Sequence, residues 1–268
     1  MELPGNNPEQ QAFNREAAGY DRYFSESAIG SNQRTLVWHW LQKHIRPSST
    51  ILELNGGTGV DAEYLQRLGH QIISTDGADQ MVAIAASRGV DARVWDLHRP
   101  PPATIQHQKF DIIFSNFSGW NCLSPERLAS LASELAPLLP ANGQLIVVVF
   151  GRFCIWEWLY FLFSGKWRQL FRRQESSTTA HISGRDFPLW YHSRRTLQKS
   201  LQPYFRLQRS YPVGVSLPPS YLRSLNRSTT LLQLAFRLDK FLGRMHWPAS
   251  FADHSMLIFR KQEEVPPE

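Results

Sequence analysis

The sequence predicts an α/β fold built on a doubly wound parallel sheet. Three observations predict it. Short apolar runs alternate with stretches of helical period from Ile51 to Phe150. The first run, Ile51-Leu52-Glu53-Leu54, passes straight into the glycine turn Asn55-Gly56-Gly57-Thr58-Gly59 and then into a helix. Acidic residues, Asp76 and Asp96, close the second and third runs, where open α/β sheets bind their ligands.

The chain has 268 residues, 42% of them hydrophobic, which suits one large domain or a domain with an insertion. Its net charge is +6 and its pI about 9.5, a basic balance suited to nucleic acid, anionic lipid or acidic substrates. The excess concentrates between Arg152 and Arg173 and between Arg194 and Arg244, without the long like-charge run of a basic tail. Two cysteines, Cys122 and Cys154, are too few for a disulfide framework or a zinc site. The polar start lacks a basic segment followed by an apolar one, so no signal peptide is expected and the cytoplasm is the default location.

Each element follows from its residues. Residues 1–10 read as disordered. Phe13, Ala17, Tyr20 and Phe24 recur at helical spacing. Ser31 or Asn32 can cap a second helix with Leu36, Val37, Trp40, Leu41 and Ile45 inward, ending before Pro47. After the first strand and glycine turn, residues 61–68 read as a helix stopped by Gly69. Residues 71–76 are strand two, 80–87 a helix that Asp79 can cap, 90–95 strand three and 110–115 strand four. Ser124-Pro125 opens the next helix with a cap and a proline at its first position. The β-branched run from Gln144 to Phe150 is strand five.

The second half is less regular. Residues 151–171 are almost all apolar or aromatic, flanked by Arg152, Lys166, Arg168, Arg172 and Arg173, yet too short to span a bilayer. Three readings stand: a buried helix capping a substrate pocket, a helix in the membrane interface, and a core helix of an insertion. Each puts aromatic surface beside the end of strand five, which points to an apolar or aromatic-bearing acceptor. Residues 176–186 are polar. A helix over 194–201, a strand over 207–217, a helical pair over 222–245 with Leu231, Leu234, Leu238 and Phe241 on one face, and a final strand over 253–260 complete the chain. The tail after Lys261 reads as disordered.

The string Ile-Leu-Glu-Leu-Asn-Gly-Gly-Thr-Gly resembles motif I of class I S-adenosylmethionine-dependent methyltransferases of the type 11/25 kind. Glu53, Gly57 and Gly59 fit that pattern. Asn55 replaces its first glycine and Gly56 fills the variable place; asparagine tolerates positive φ best among other residues. The resemblance covers residues 12–150. It implies a seven-stranded, mostly parallel sheet whose last strand is antiparallel, which fits the run at 253–260. It implies S-adenosylmethionine as cofactor, a small-molecule substrate, and binding by Tyr20, Glu53, Asn55, Gly56, Gly57, Gly59, Asp76, Gly77, Met81, Asp96, Leu97 and Asn116. Asp76 would accept both ribose hydroxyls, as a carboxylate can. Met81 is placed to touch the adenine face, Asp96 to take its amino group and Leu97 to pack on the ring. Tyr20 would lie in a lid, and Asn116 beside the reacting centre. The whole chain, 1–268, would be one domain, with 12–150 the cofactor core and helical insertions at 151–190 and 220–246 forming a substrate cap.

Other function classes remain open at this stage. Gly57-x-Gly59-x-x-Ala62 with Asp76 downstream also satisfies the dinucleotide fingerprint of an NAD-dependent oxidoreductase. Charge separates the two, because Glu53 at the lip of the turn opposes a pyrophosphate but suits a sulfonium and an ammonium. A nucleic-acid methyltransferase fits the pI but lacks a recognisable binding module, and Ser115-Asn116-Phe117-Ser118 is not the Asn-Pro-Pro-Tyr of enzymes that methylate base amines. His181 and His192 are the histidines to test as proton acceptors. Residues 153–171 are the segment to test for peripheral membrane contact.

Overall fold

The computed structural model describes residues 7–219, 229–245 and 247–262. Nine strands and nine α-helices are described: β1 Thr50–Leu54, β2 Gln71–Asp76, β3 Asp91–Val94, β4 Ile112–Ser115, β5 Gln144–Phe150, β6 Thr178–Ile182, β7 Arg185–Leu189, β8 Phe205–Val213 and β9 His254–Lys261. The helices are α1 Pro8–Tyr20, α2 Ala28–Leu41, α3 Val60–Arg67, α4 Asp79–Ser87, α5 Ala103–Gln106, α6 Pro125–Leu135, α7 Ile155–Phe163, α8 Arg194–Leu201 and α9 Thr229–Leu242.

Seven strands form one sheet in the order β3-β2-β1-β4-β5-β9-β8. The first five run parallel and β9 enters antiparallel between β5 and β8. The central strands are buried on both faces, which is why they read as continuous apolar runs. The pleat divides their side chains. Leu52, Leu54, Ile113, Leu145 and Val147 meet α5, α6 and α8 on one side. Ile51, Phe114, Ile146 and Val148 meet α2, α3, α4 and α9 on the other.

Several expectations need correction. Of residues 1–10, expected to be disordered, 1–6 lie outside the described residues and α1 begins at Pro8. Ser27, not Ser31 or Asn32, caps α2: its hydroxyl accepts the Gly30 N–H at 3.0 Å. Residues 151–190 are not purely helical. After α7, strands β6 and β7 pair as a hairpin, turned at Ser183-Gly184 with φ of 47° and 71°. Of the helical pair expected over 222–245, the helix α9 is described and residues 220–228 and 246 lie outside the described residues, as does the tail from 263. The apolar face of Leu231, Leu234, Leu238 and Phe241 turns outward on α9. The helix docks instead through Leu232 and through Asp239, whose carboxylate accepts the backbone N–H groups of Gly214, Ser216 and Leu217.

Candidate active site

The strand order lays the site out as a row. The carboxyl ends of β3, β2, β1, β4 and β5 stand side by side, and antiparallel β9 begins at the same edge. A cavity of about 290 Å³ follows this edge. Asp96 and Leu97 line it beyond β3, Asp76 and Gly77 at β2, Asn55, Gly56 and Gly57 after β1, Asn116 after β4, Phe150 at β5 and His254 at β9.

The turn after β1 is built for close approach. Asn55 and Gly57 adopt positive φ, 53° and 57°, the conformation that Asn and Gly tolerate best. A Cβ at Gly57 would meet nothing within 4 Å. Asp76 accepts the Gly57 N–H at 2.9 Å and the Ala78 N–H at 2.9 Å. Burial raises its pKa, against those backbone hydrogen bonds. Two backbone bonds leave its oxygens further acceptor capacity.

Glu53 and Gly59, expected to touch the cofactor, do not line the cavity. Glu53 is buried beneath the turn, where its carboxyl accepts the Ser74 hydroxyl at 2.5 Å. Gly56 covers it: a Cβ there would come within 2.5 Å of Glu53 Oε2. Burial, aided by the nearby Asp61 charge, pushes Glu53 up to about 8. Gly59 packs against α4, a Cβ there falling 2.7 Å from Ala85 Cβ.

The other expected binding residues come together. Tyr20 and Met81 line the same cavity as Asp76 and Asp96. Asp96 accepts the His98 N–H at 2.9 Å and the Asn7 side-chain amide at 3.1 Å. Burial opposes its ionisation, but hydrogen bonds from the His98 ring and backbone overcome it and lower its pKa. Asn116 donates its amide to Asp61 at 3.0 Å. Asp61 also accepts Trp38 Nε1 at 2.6 Å and pairs with buried Arg34.

The two histidines singled out from sequence stand elsewhere. His181 is exposed, its Nδ1 2.5 Å from Asp186 Oδ1 across the hairpin. The period of two on β6 turns it outward, while its neighbour Ile182 lines the cavity. His192 is buried with Nε2 at 3.1 Å and 3.0 Å from the carbonyls of Trp120 and Leu123. Carbonyls only accept, so that nitrogen carries a proton and ties down the loop. Burial lowers the pKa of His192.

Sequence reading missed three groups of lining residues. Glu9 and Gln10 reach the cavity from the first turn of α1, and burial pushes Glu9 up to about 7 despite His98 beside it. Phe187 and Leu189 cover the cavity from β7. His254, at the start of β9, stacks on Phe150 with ring centroids 4.4 Å apart and meets the edge of Phe117 at 5.5 Å. The final strand was legible, but only its antiparallel pairing with β5 brings His254 opposite Phe150.

The donor set suits a nucleoside carrying a cationic sulfur. Carboxylates stand at the ends of β2 and β3, the turn is open above Gly57, and the buried Ser118 hydroxyl on the cavity wall has no hydrogen-bond partner among the described residues. Residues 51–143 match the family described as methyltransferase domain. No curated protein matches the chain significantly. Among solved structures, DhpI in its SAH complex is 13% identical and superposes with a TM-score of 0.61, over 98% of this chain and 100% of that one. The PH0226 protein of Pyrococcus horikoshii OT3 is 16% identical, with a TM-score of 0.58 over 91% and 99%. An S-adenosylmethionine-dependent methyltransferase from Mesorhizobium loti is 13% identical, with a TM-score of 0.52 over 84% and 97%. At these identities the superpositions establish the fold, and the matched domain establishes the chemistry of its core. With a methyltransferase domain at residues 51–143 on a Rossmann-like seven-stranded sheet, the chain is an S-adenosylmethionine-dependent methyltransferase.

Proposed function

We propose that the acceptor is a small molecule with an apolar or aromatic body and a group that loses a proton on methylation. The observation that carries this reading is the half of the cavity beyond Asn116. There Phe24, Phe117 and Phe150 supply the walls and His254 the polar group. Aromatic rings bury apolar area and favour edge or offset contacts with another ring.

S-adenosylmethionine, when bound, supplies an electrophilic methyl carbon. Asp76 and Asp96 would hold its nucleoside, with Asn55, Gly56 and Gly57 beside its amino-acid end. Asn116, fixed by Asp61, borders the reacting centre. Methyl transfer is an in-line displacement, so alignment and exclusion of water supply much of the rate. His254 would take up the proton that the acceptor gives up on methylation, since it lines the cavity beside Phe117 and Phe150. Asp253 favours that step: its Oδ2 lies 3.3 Å from His254 Nδ1 and its Oδ1 2.7 Å from Arg173 Nη2. Burial opposes ionisation of Asp253, but the adjoining His254 and Arg173 hold it well below the usual carboxylate range.

The test is turnover of methyl-labelled S-adenosylmethionine against a panel of phenols, aromatic amines, aliphatic carboxylates and nucleosides. Turnover with phenolic or aromatic acceptors is the expected result. Turnover with nucleosides alone would overturn the reading.

A further inference from the structure

We propose that residues 155–171 form a docking surface for an anionic lipid bilayer. This inference is independent of the acceptor reading, because it concerns the outside of the molecule.

Helix α7 is inverted for a helix of a water-soluble domain. Its only carboxylate, Glu157, is buried, and it pairs with Arg172 and Arg173, the latter with Nε 2.9 Å away. Its apolar side chains face outward instead: Ile155, Leu159, Tyr160 and Phe163 are all exposed. The chain then continues the same surface, since Phe163 is 83%, Trp167 65% and Phe171 61% exposed. Six large apolar side chains within one short segment make a patch, and large exposed apolar patches mark interaction sites.

Charge chooses the occupant. Lys166 and Arg168 are exposed between the aromatics, and Lys166 Nζ lies 5.9 Å from the Tyr160 ring centroid. With Glu157 turned inward, the exposed charge from 155 to 171 is cationic only. Aromatic and aliphatic side chains interleaved with basic ones match the boundary between headgroups and acyl chains of an anionic membrane. Among the described residues no helix is long and apolar enough to cross a membrane, so the contact is peripheral. The surface also adjoins the site, because α7 follows β5 closely and the Ile155 N–H bonds the Phe251 carbonyl just before β9.

The experiment is cosedimentation of the full chain with vesicles of phosphatidylcholine alone and of phosphatidylcholine mixed with phosphatidylglycerol. The expected result is binding to the mixed vesicles that weakens with added salt and is much poorer on the neutral ones. Changing Lys166→Glu with Arg168→Glu should weaken binding by at least about 30-fold, since each basic residue near an anionic surface contributes about fivefold. Changing Phe163→Ser, Trp167→Ser and Phe171→Ser together should abolish it, with the thermal midpoint unchanged because these side chains are exposed. Wild-type failure to bind mixed vesicles, or unaltered binding by both variants, would overturn the proposal. So would concentration-dependent dimerisation of the wild type that the aromatic variant loses while vesicles are ignored; that result would assign the surface to a second copy of the chain.

Discussion

The carboxyl of Glu53 lies beneath the glycine turn and accepts the Ser74 hydroxyl at 2.5 Å. Its pKa, raised to about 8, makes it a proton-bearing part of the fold at neutral pH. The sign of its pH effect follows. A carboxyl raised above its unfolded value of 4.5 contributes stability that is present below that pH and is lost as pH climbs toward 8. Within that window the loss is at most about 1.4 kcal/mol per pH unit. The variant Glu53→Gln should therefore show a flatter decline of unfolding free energy between these values than the wild type. Urea titrations across the range check this, and parallel curves would refute the assignment.

Arg34 and Asp61 form a buried pair on which Asn116 and Trp38 also converge. Replacing Arg34 with Met leaves Asp61 charged, buried and short of a cation. The expected cost is about 3–5 kcal/mol, read as a fall in the urea midpoint. The double variant Arg34→Met, Asp61→Asn should recover part of it, because the uncompensated charge is gone.

Two glycines of the turn have separable roles. Gly59→Ala places a Cβ 2.7 Å from Ala85 at a φ of 79° and should destabilise the fold by more than about 1 kcal/mol. Gly57→Ala meets no atom within 4 Å, so its cost in the free protein is the positive φ alone, about 1 kcal/mol. Its larger effect should fall on cofactor affinity, because the added methyl stands on the cavity wall. Calorimetric unfolding and titration with S-adenosylhomocysteine, run on both variants, would show the two losses in opposite proportion.

His254→Gln should leave the affinity for S-adenosylhomocysteine near wild type and lower kcat/KM by about 10²–10⁴ for an acceptor that must lose a proton. An unchanged kcat/KM would remove His254 from the mechanism.

The sheet was legible because its central strands are buried on both faces and so read as unbroken apolar runs. Asp76, Asp96, Asn116 and the turn could be set side by side from the sequence because parallel strands put their carboxyl ends in one row. Glu53 misled because a carboxylate before a glycine turn looks ligand-facing, whereas the pleat and Gly56 put it underneath. His254 was invisible as a site residue because antiparallel pairing joins it to Phe150 across more than a hundred residues of chain. His192 drew attention by its motif, yet the carbonyls of Trp120 and Leu123 occupy its Nε2. The hairpin β6–β7 was hidden in a polar stretch whose inward residues, such as Ile182, are few.

Thermal unfolding of the wild type with excess S-adenosylhomocysteine, and separately with NAD, tests the central claim most directly. At about 100 times its dissociation constant a specific ligand stabilises by about 2.7 kcal/mol. The account predicts a clear upward shift with S-adenosylhomocysteine and none with NAD. A shift with NAD and none with S-adenosylhomocysteine would contradict it.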